Sequence, residues 1–331
     1  MTILAIPIGV AVATNYVAAG VFAAIGCLNV LLLQFRGTSG DRLRRSGWGL
    51  ALNTVALAVG TLVGTLGWIE IPLVALGLIV IHGVHRIPRE GNLSMVVSVM
   101  FVIGVGLPGA SVPEAGARAV LALAGGGLAV IGLALHLGAL RALGRPLPDS
   151  GGSATPGGPS ESPPPSLTSA RAGWIHAAAV GLTAAGGLAL ADDLGLARDY
   201  WLMLTVIVVL RAGFRETLVT GVGRMAGTVL GAGLGALIVL TFAVPAEEGL
   251  LLVAFAFGFF ALQGVNYVLY SLSLTAFVIL LLDLVYPAGW LLGETRVLDT
   301  VIGGVLALGA AGVLWFLEFH PAGPHLRISR A

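Results

Sequence analysis

The chain contains no lysine and a single cysteine, and only 10% of its 331 residues carry a charge. Each shortage excludes something. With so few charges against 57% hydrophobic residues and a mean hydropathy of +0.99, no soluble globular domain is described, because such a domain buries its core with far less apolar material. A lone Cys27 inside an apolar run rules out an intrachain disulfide and reads as a small buried hydrophobe. The formal net charge is +1, and no basic tract with interleaved aromatics offers a face for nucleic acid. Motifs for catalysis are missing as well. There is no P-loop, no nucleophile elbow, no His-Glu-x-x-His and no cysteine pair at metal spacing, which points away from an enzyme, a cofactor or a metal. His82 and His85 come nearest to a ligand pair, but no carboxylate or thiol stands at helical spacing to complete a site.

What is present is a series of apolar windows of roughly 20 residues, continuous rather than alternating, the pattern of helices that span a lipid bilayer. The expected fold is all-α, with about 12 transmembrane helices. The spacing predicts spans near 3–15, 17–35, 47–67, 70–86, 93–108 and 118–140, then 173–191, 200–215, 221–243, 249–264, 267–286 and 297–317. The first is short for a bilayer, and a chain of eleven spans is the alternative. The 49 glycines fall mostly inside these windows, where they let helix backbones approach closely. Met1-Thr2-Ile3 lacks a charged n-region, so no removable signal peptide is expected. The windows divide the chain into a six-helix repeat over 1–142, a Pro/Gly/Ser-rich disordered linker over 143–171, a second repeat over 172–318 and a tail over 319–331.

Cations set the orientation, since short cytoplasmic loops retain arginine. If the spans alternate, all but three of the 17 arginines fall on one side, the exceptions being Arg118, Arg198 and Arg296. Both termini and the linker are therefore expected in the cytoplasm of a plasma-membrane protein. A repeat is visible too: Arg118 precedes Gly125-Gly126 as Arg296 precedes Gly303-Gly304, and Asn15-Tyr16 matches Asp199-Tyr200. With an even number of spans in each, the two halves would be parallel and related by an axis along the membrane normal, where a pathway would run.

The densest set of polar residues is Asp199-Tyr200-Trp201, Thr205, Arg211, Phe214-Arg215-Glu216-Thr217 and Arg224-Met225-Ala226-Gly227-Thr228 with Gly231 and Gly235. Arg224 is placed where the third span of the second half leaves the cytoplasm. Its planar fork suits a carboxylate if it faces a wet cavity. The competing reading makes Arg211, Arg215 and Arg224 anchors of helix ends. At the other face Arg296 and Asp299 lie three apart and can pair, with Asp283 as a second partner, and a carboxylate there could carry a coupling proton. Phe255, Phe257, Phe259, Phe260, Tyr267 and Tyr270 offer rings for an aromatic acid, or simply packing. Trp48, Trp68, Trp174, Trp201, Trp290 and Trp315 are expected in the interfacial belt.

This stretch, together with Asn266-Tyr267, Thr275 and the Arg296, Asp299-Thr300, Gly303 series, resembles the membrane module of the fusaric acid resistance and aromatic acid exporter family. That module is similar, at a greater distance, to the plant aluminium-activated malate transporters. The resemblance covers 172–317; over 1–142 only the Tyr16 and Arg118 signatures recur. It implies export of aromatic or other organic acids, or conduction of carboxylates through a channel, with the small anion and protons as partners and no cofactor. Arg224, Arg211, Arg215, Tyr200, Trp201, Tyr267 and Thr275 are then candidates for substrate or pathway. Arg296, Asp299, Asp283 and Arg118 are candidates for ion pairing or proton coupling. Larger members carry a helical cytoplasmic domain after each half, where this chain has only a linker. Three readings follow: an organic-anion exporter, a gated anion channel, and a non-transporting scaffold subunit. The lipid bilayer and a second copy of the chain are the remaining expected partners.

Overall fold

The computed structural model describes residues 2–14, 16–33, 38–84, 92–107, 111–145, 170–196, 200–241, 245–283 and 291–319. Twelve α-helices form these segments: α1 Thr2–Thr14, α2 Val17–Leu32, α3 Ser39–Val63, α4 Glu70–Val84, α5 Leu93–Val105, α6 Val112–Ala142, α7 Ala170–Asp193, α8 Tyr200–Val209, α9 Phe214–Thr241, α10 Pro245–Leu262, α11 Tyr267–Asp283 and α12 Leu291–Phe319. A short 3₁₀ turn, Gly67–Ile69, precedes α4. The chain is a multi-pass helical membrane protein. Most of the linker, His85, Asn15, Arg198, Asp199, Trp290 and the C-terminal tail lie outside the described residues.

The expected spans and the helices correspond one to one, with differences in length that matter. Six helical stretches are long and apolar enough to cross a bilayer: Ser39–Val63, Gly67–Val84, Val112–Ala142, Arg171–Asp193, Phe214–Thr241 and Leu291–Leu317. The others are shorter. α8 has 10 residues, about 15 Å at 1.5 Å per residue, instead of the expected 200–215, because the chain turns at Leu210 to Gly213 and restarts as α9. α9 in turn begins at Phe214, seven residues before the expected start. α3 likewise begins at Ser39, taking in Arg42, Arg44 and Arg45, which precede the expected span of 47–67. Thr38 caps it by accepting from the Asp41 N–H at 3.2 Å.

Helix pairings recur between the two halves. α3 packs on α5 and α6, and α9 packs on α11 and α12; α6 lies on α2, and α12 on α8; α1 pairs with α2, and α7 with α8. Across the halves α4 lies on α7, α5 touches α8 and α1 touches α10. Glycine makes the closest approaches. Gly223, Gly227, Gly231 and Gly235 run along α9 four residues apart, facing Tyr267, Ser271, Thr275 and Ile279 of the parallel helix α11. In α6, Gly125 meets Ala23 and Gly126 meets Leu50; in α12, Gly303 meets Leu202 and Thr205 while Gly304 meets Met225. Lipid supplies no hydrophobic drive between helices, so such backbone proximity is what dispersion attraction requires.

That register corrects one expected match. It places Trp201, not Tyr200, opposite the position of Phe22. Tyr16 is 74% exposed just before α2, whereas Tyr200 is 7% exposed inside the bundle, so the two tyrosines are not equivalents.

Substituting leucine for Gly227, whose Cα rests on Ser271 and the Val268 carbonyl, is expected to destabilise the fold by about 3 kcal/mol or more. Gly233→Ala, where the added methyl meets open space, should be neutral or slightly favourable. Thermal unfolding in detergent, followed by size-exclusion chromatography, distinguishes the two.

Candidate functional site

Charged side chains inside a membrane protein cost several kcal/mol unless something compensates them, so their positions locate the site. Arg224 lies ten residues into α9, about 15 Å along the helix axis from Phe214. It is 3% exposed. From α12, Arg296 is 4% exposed and Asp299 1% exposed. The two guanidinium groups are near enough to repel one another, and Arg296 also feels Tyr200 and Asp299. Trp201 of α8 is buried beneath this group and holds the Arg296 guanidinium over its ring at 4.9 Å. A desolvated cation–π contact of this kind is worth about 2 kcal/mol. Trp201 is thus part of the interior and not of the interfacial belt, where Trp48, Trp68 and Trp315 remain exposed.

Several donors here have no protein partner. Arg224 Nε, Arg296 Nε and one terminal nitrogen of Arg296 are buried without a hydrogen bond, as are the hydroxyls of Thr228, Thr275 and Tyr267. Ser271 donates to the Arg224 carbonyl at 3.3 Å. Two cations with one nearby carboxylate leave this set with a net positive charge, which suits an anion.

Toward the other end of α9 the cluster continues. Arg211 sits in the turn between α8 and α9 in the field of Tyr267, Tyr270 and Glu216. Tyr270 stacks on Tyr267 at 5.7 Å and on Phe259 at 4.9 Å, and it lies near both Arg224 and Arg211. Thr217 fixes the turn: its hydroxyl accepts from the Arg211 N–H at 3.0 Å and donates to the Gly213 carbonyl at 2.9 Å. His82 of α4 meets His176 of α7 edge to face at 6.5 Å across the two halves, with Arg211 nearby.

The structure therefore brings together Arg224, Arg296, Asp299, Tyr200 and Trp201, and places Arg211, Tyr267 and Tyr270 beside them. Thr275 is buried against Gly231. Arg215 is exposed and stands apart. Asp283, 7% exposed at the end of α11, lies near Glu248 instead of completing the Arg296 cluster. Arg118 repeats the Arg296 arrangement with a weaker ring, its guanidinium 5.6 Å from the centre of Phe22. Where α9 has Arg224 next to Met225, α3 has Gly49 next to Leu50, so the register gives the first half no second buried arginine. Sequence reasoning missed His176, because a single histidine has no spacing to announce it. No group of three or more His, Cys, Asp or Glu side chains suited to a metal occurs among the described residues.

An apolar groove of about 580 Å³ runs between α9 and α12, lined by Val229, Ala232, Gly233, Val297, Leu298 and Val301 among others. None of the candidate site residues lines it. Its walls suit an acyl chain, not an anion.

The architecture defines a polytopic α-helical membrane protein with an internal basic cluster. Residues 182–310, which hold that cluster, match the family described as fusaric acid resistance protein-like. Over 142 residues the chain is 30% identical to the inner membrane protein YccS of Escherichia coli (strain K12), covering 42% of this chain and 19% of that protein. It is 29% identical over 142 residues to the uncharacterized protein ORF2 of Neisseria gonorrhoeae, covering 42% of this chain and 34% of that one. The chain thus spans about a fifth and a third of the length of these curated relatives. No solved structure matches it.

Replacing Thr217 by Val strands the Arg211 N–H and is expected to cost about 1 to 3 kcal/mol, while Thr217→Ser retains most of the stability. Melting temperatures of the purified variants measure the difference.

Proposed function

We propose that the protein is a membrane transporter that carries organic carboxylate anions, aromatic ones included, past the Arg224–Arg296 cluster. The observation that carries this reading is the pair of buried guanidinium groups with unsatisfied donors and one close carboxylate. A carboxylate supplies negative charge to a set of two cations and one acid, and a guanidinium can hold it through two parallel hydrogen bonds. The aromatic rows Trp201–Tyr200 and Phe259–Tyr270–Tyr267 border the same region and would favour a flat ring attached to the acid. Export is the direction implied by the family resemblance.

In this reading the two halves are parallel repeats, both termini are cytoplasmic, and the protein resides in a plasma membrane, as the name of YccS indicates for that relative. The pathway follows the second-half side of the seam between the halves. Asp299 is the carboxylate placed to exchange a proton or to pair with Arg296 as the anion leaves. A gated channel uses the same cluster without protons, and a scaffold subunit uses none of it.

Uptake of benzoate, 4-hydroxybenzoate and succinate into proteoliposomes, with and without a pH gradient, tests the proposal. Arg224→Ala and Arg296→Ala are each expected to lower the rate at least roughly tenfold, the scale of losing one charged hydrogen bond to the anion. Arg215→Ala should leave it unchanged. Equal transport by all three variants, at matched incorporation, would remove the site. Anion currents that reverse freely with voltage and ignore pH would identify a channel instead of an exporter.

A further inference from the structure

The first half contributes to the basic cluster through a residue without a side chain. Gly106 follows α5 directly and caps its end, donating its N–H to the Val102 carbonyl at 3.1 Å. Its Cα lies against Tyr200, the first residue of α8: a methyl group added there would overlap Cβ, Cγ and Cδ1 of that ring. Tyr200 is buried in this seat. Its ring stands at 65° to that of Trp201 with centroids 5.8 Å apart, and Trp201 is the face on which Arg296 rests. Tyr200 also lies within the field of Arg296 directly. A chain of contact therefore runs from the backbone of the first half, through two rings, to a buried guanidinium of the second.

A second seat of the same kind occurs further along the seam. The Trp174 ring of α7 rests on Gly83 of α4, and between the two seats Gly181 of α7 lies against the Ala75 carbonyl of α4. At the outer seat alone the aromatic belongs to the cluster.

We infer that Gly106 is a positioning residue for the anion site, setting through Tyr200 and Trp201 where the Arg296 guanidinium stands. This rests on the reading of that cluster as the anion site. A Cβ at residue 106 overlaps both Cβ and ring of Tyr200, so the first turn of α8 has to shift, Trp201 shifts with it, and the cation loses its seat.

The test is a double-mutant cycle on benzoate uptake. Gly106→Ala is expected to raise KM roughly tenfold with the maximal rate little changed, since a displacement of about 1 Å at a binding group has effects of this order or larger. Tyr200→Gly, which removes Cβ together with the ring, should raise KM by itself, and adding Gly106→Ala to it should cost nothing further, because the methyl then meets no side chain. Additive losses, an unchanged KM in Gly106→Ala, or a fall confined to the maximal rate would each overturn the inference. Adjacency is read independently of transport by oxidising membranes that contain the Gly106→Cys, Tyr200→Cys protein. The disulfide is expected to form, as Cys27 is buried between other helices and does not compete. Its absence overturns the seat. If the native protein takes up no anion, the transport reading fails and this role fails with it, and a disulfide that still forms would mark Gly106 as structural only.

Discussion

Arg224 and Arg296 are held out of water in one bundle, and the groups around them answer to the cost of burying two guanidinium groups. A lone arginine in a bilayer interior already costs about 3 kcal/mol, and a second beside it costs more. The compensation in the protein is partial: Asp299 lies close, and Trp201 offers the negative face of its ring. The residue of unsatisfied donors is left for something else. A fold selected only for stability would have placed hydrophobic side chains here at no loss, since buried ion pairs are commonly neutral or worse against packed apolar groups. Retaining the charges makes sense if their cost is offset by an anion that arrives.

The glycines explain how such a cluster is held with little slack. α9 meets α11 along Gly223, Gly227, Gly231 and Gly235, and α12 meets α8 and α9 through Gly303 and Gly304. The three helices that carry Arg224, Tyr267 and Arg296 are thereby locked at backbone distance, and long side chains between them have few rotamers available. Arg118 and Phe22 stand in the matching register of α6 and α2, but Gly49 replaces the second arginine. The second half has arginine at both of these positions and the first half at one, Arg118.

Much of the fold was legible in the sequence because hydrocarbon imposes a simple rule. Every apolar window had to be a helix, and all twelve are. Helix ends were less legible: polar residues such as Arg42 and Arg44 extend α3 beyond its apolar part, and the turn after Val209 carries no proline or Asn-Gly signal that would have shortened α8. The candidate residues Arg224, Arg296, Asp299, Tyr200 and Trp201 were identified by type and spacing, yet spacing along separate helices could not say that they meet. It put Arg224 and Arg296 at opposite faces of the membrane. Contacts across the seam, such as His82 with His176 or Tyr200 with Gly106, have no sequence signal, because a glycine that seats a ring looks like any other glycine.

The shortness of α8 has an electrical consequence. Between Tyr200 at one end and Arg211 at the other the helix measures about 15 Å, half of a hydrocarbon core of roughly 30 Å, and polar groups occupy both ends. Were the proposed anion to cross along this helix with water at both ends, the membrane voltage would fall over that half thickness, and the local field would be about twice that in the surrounding lipid.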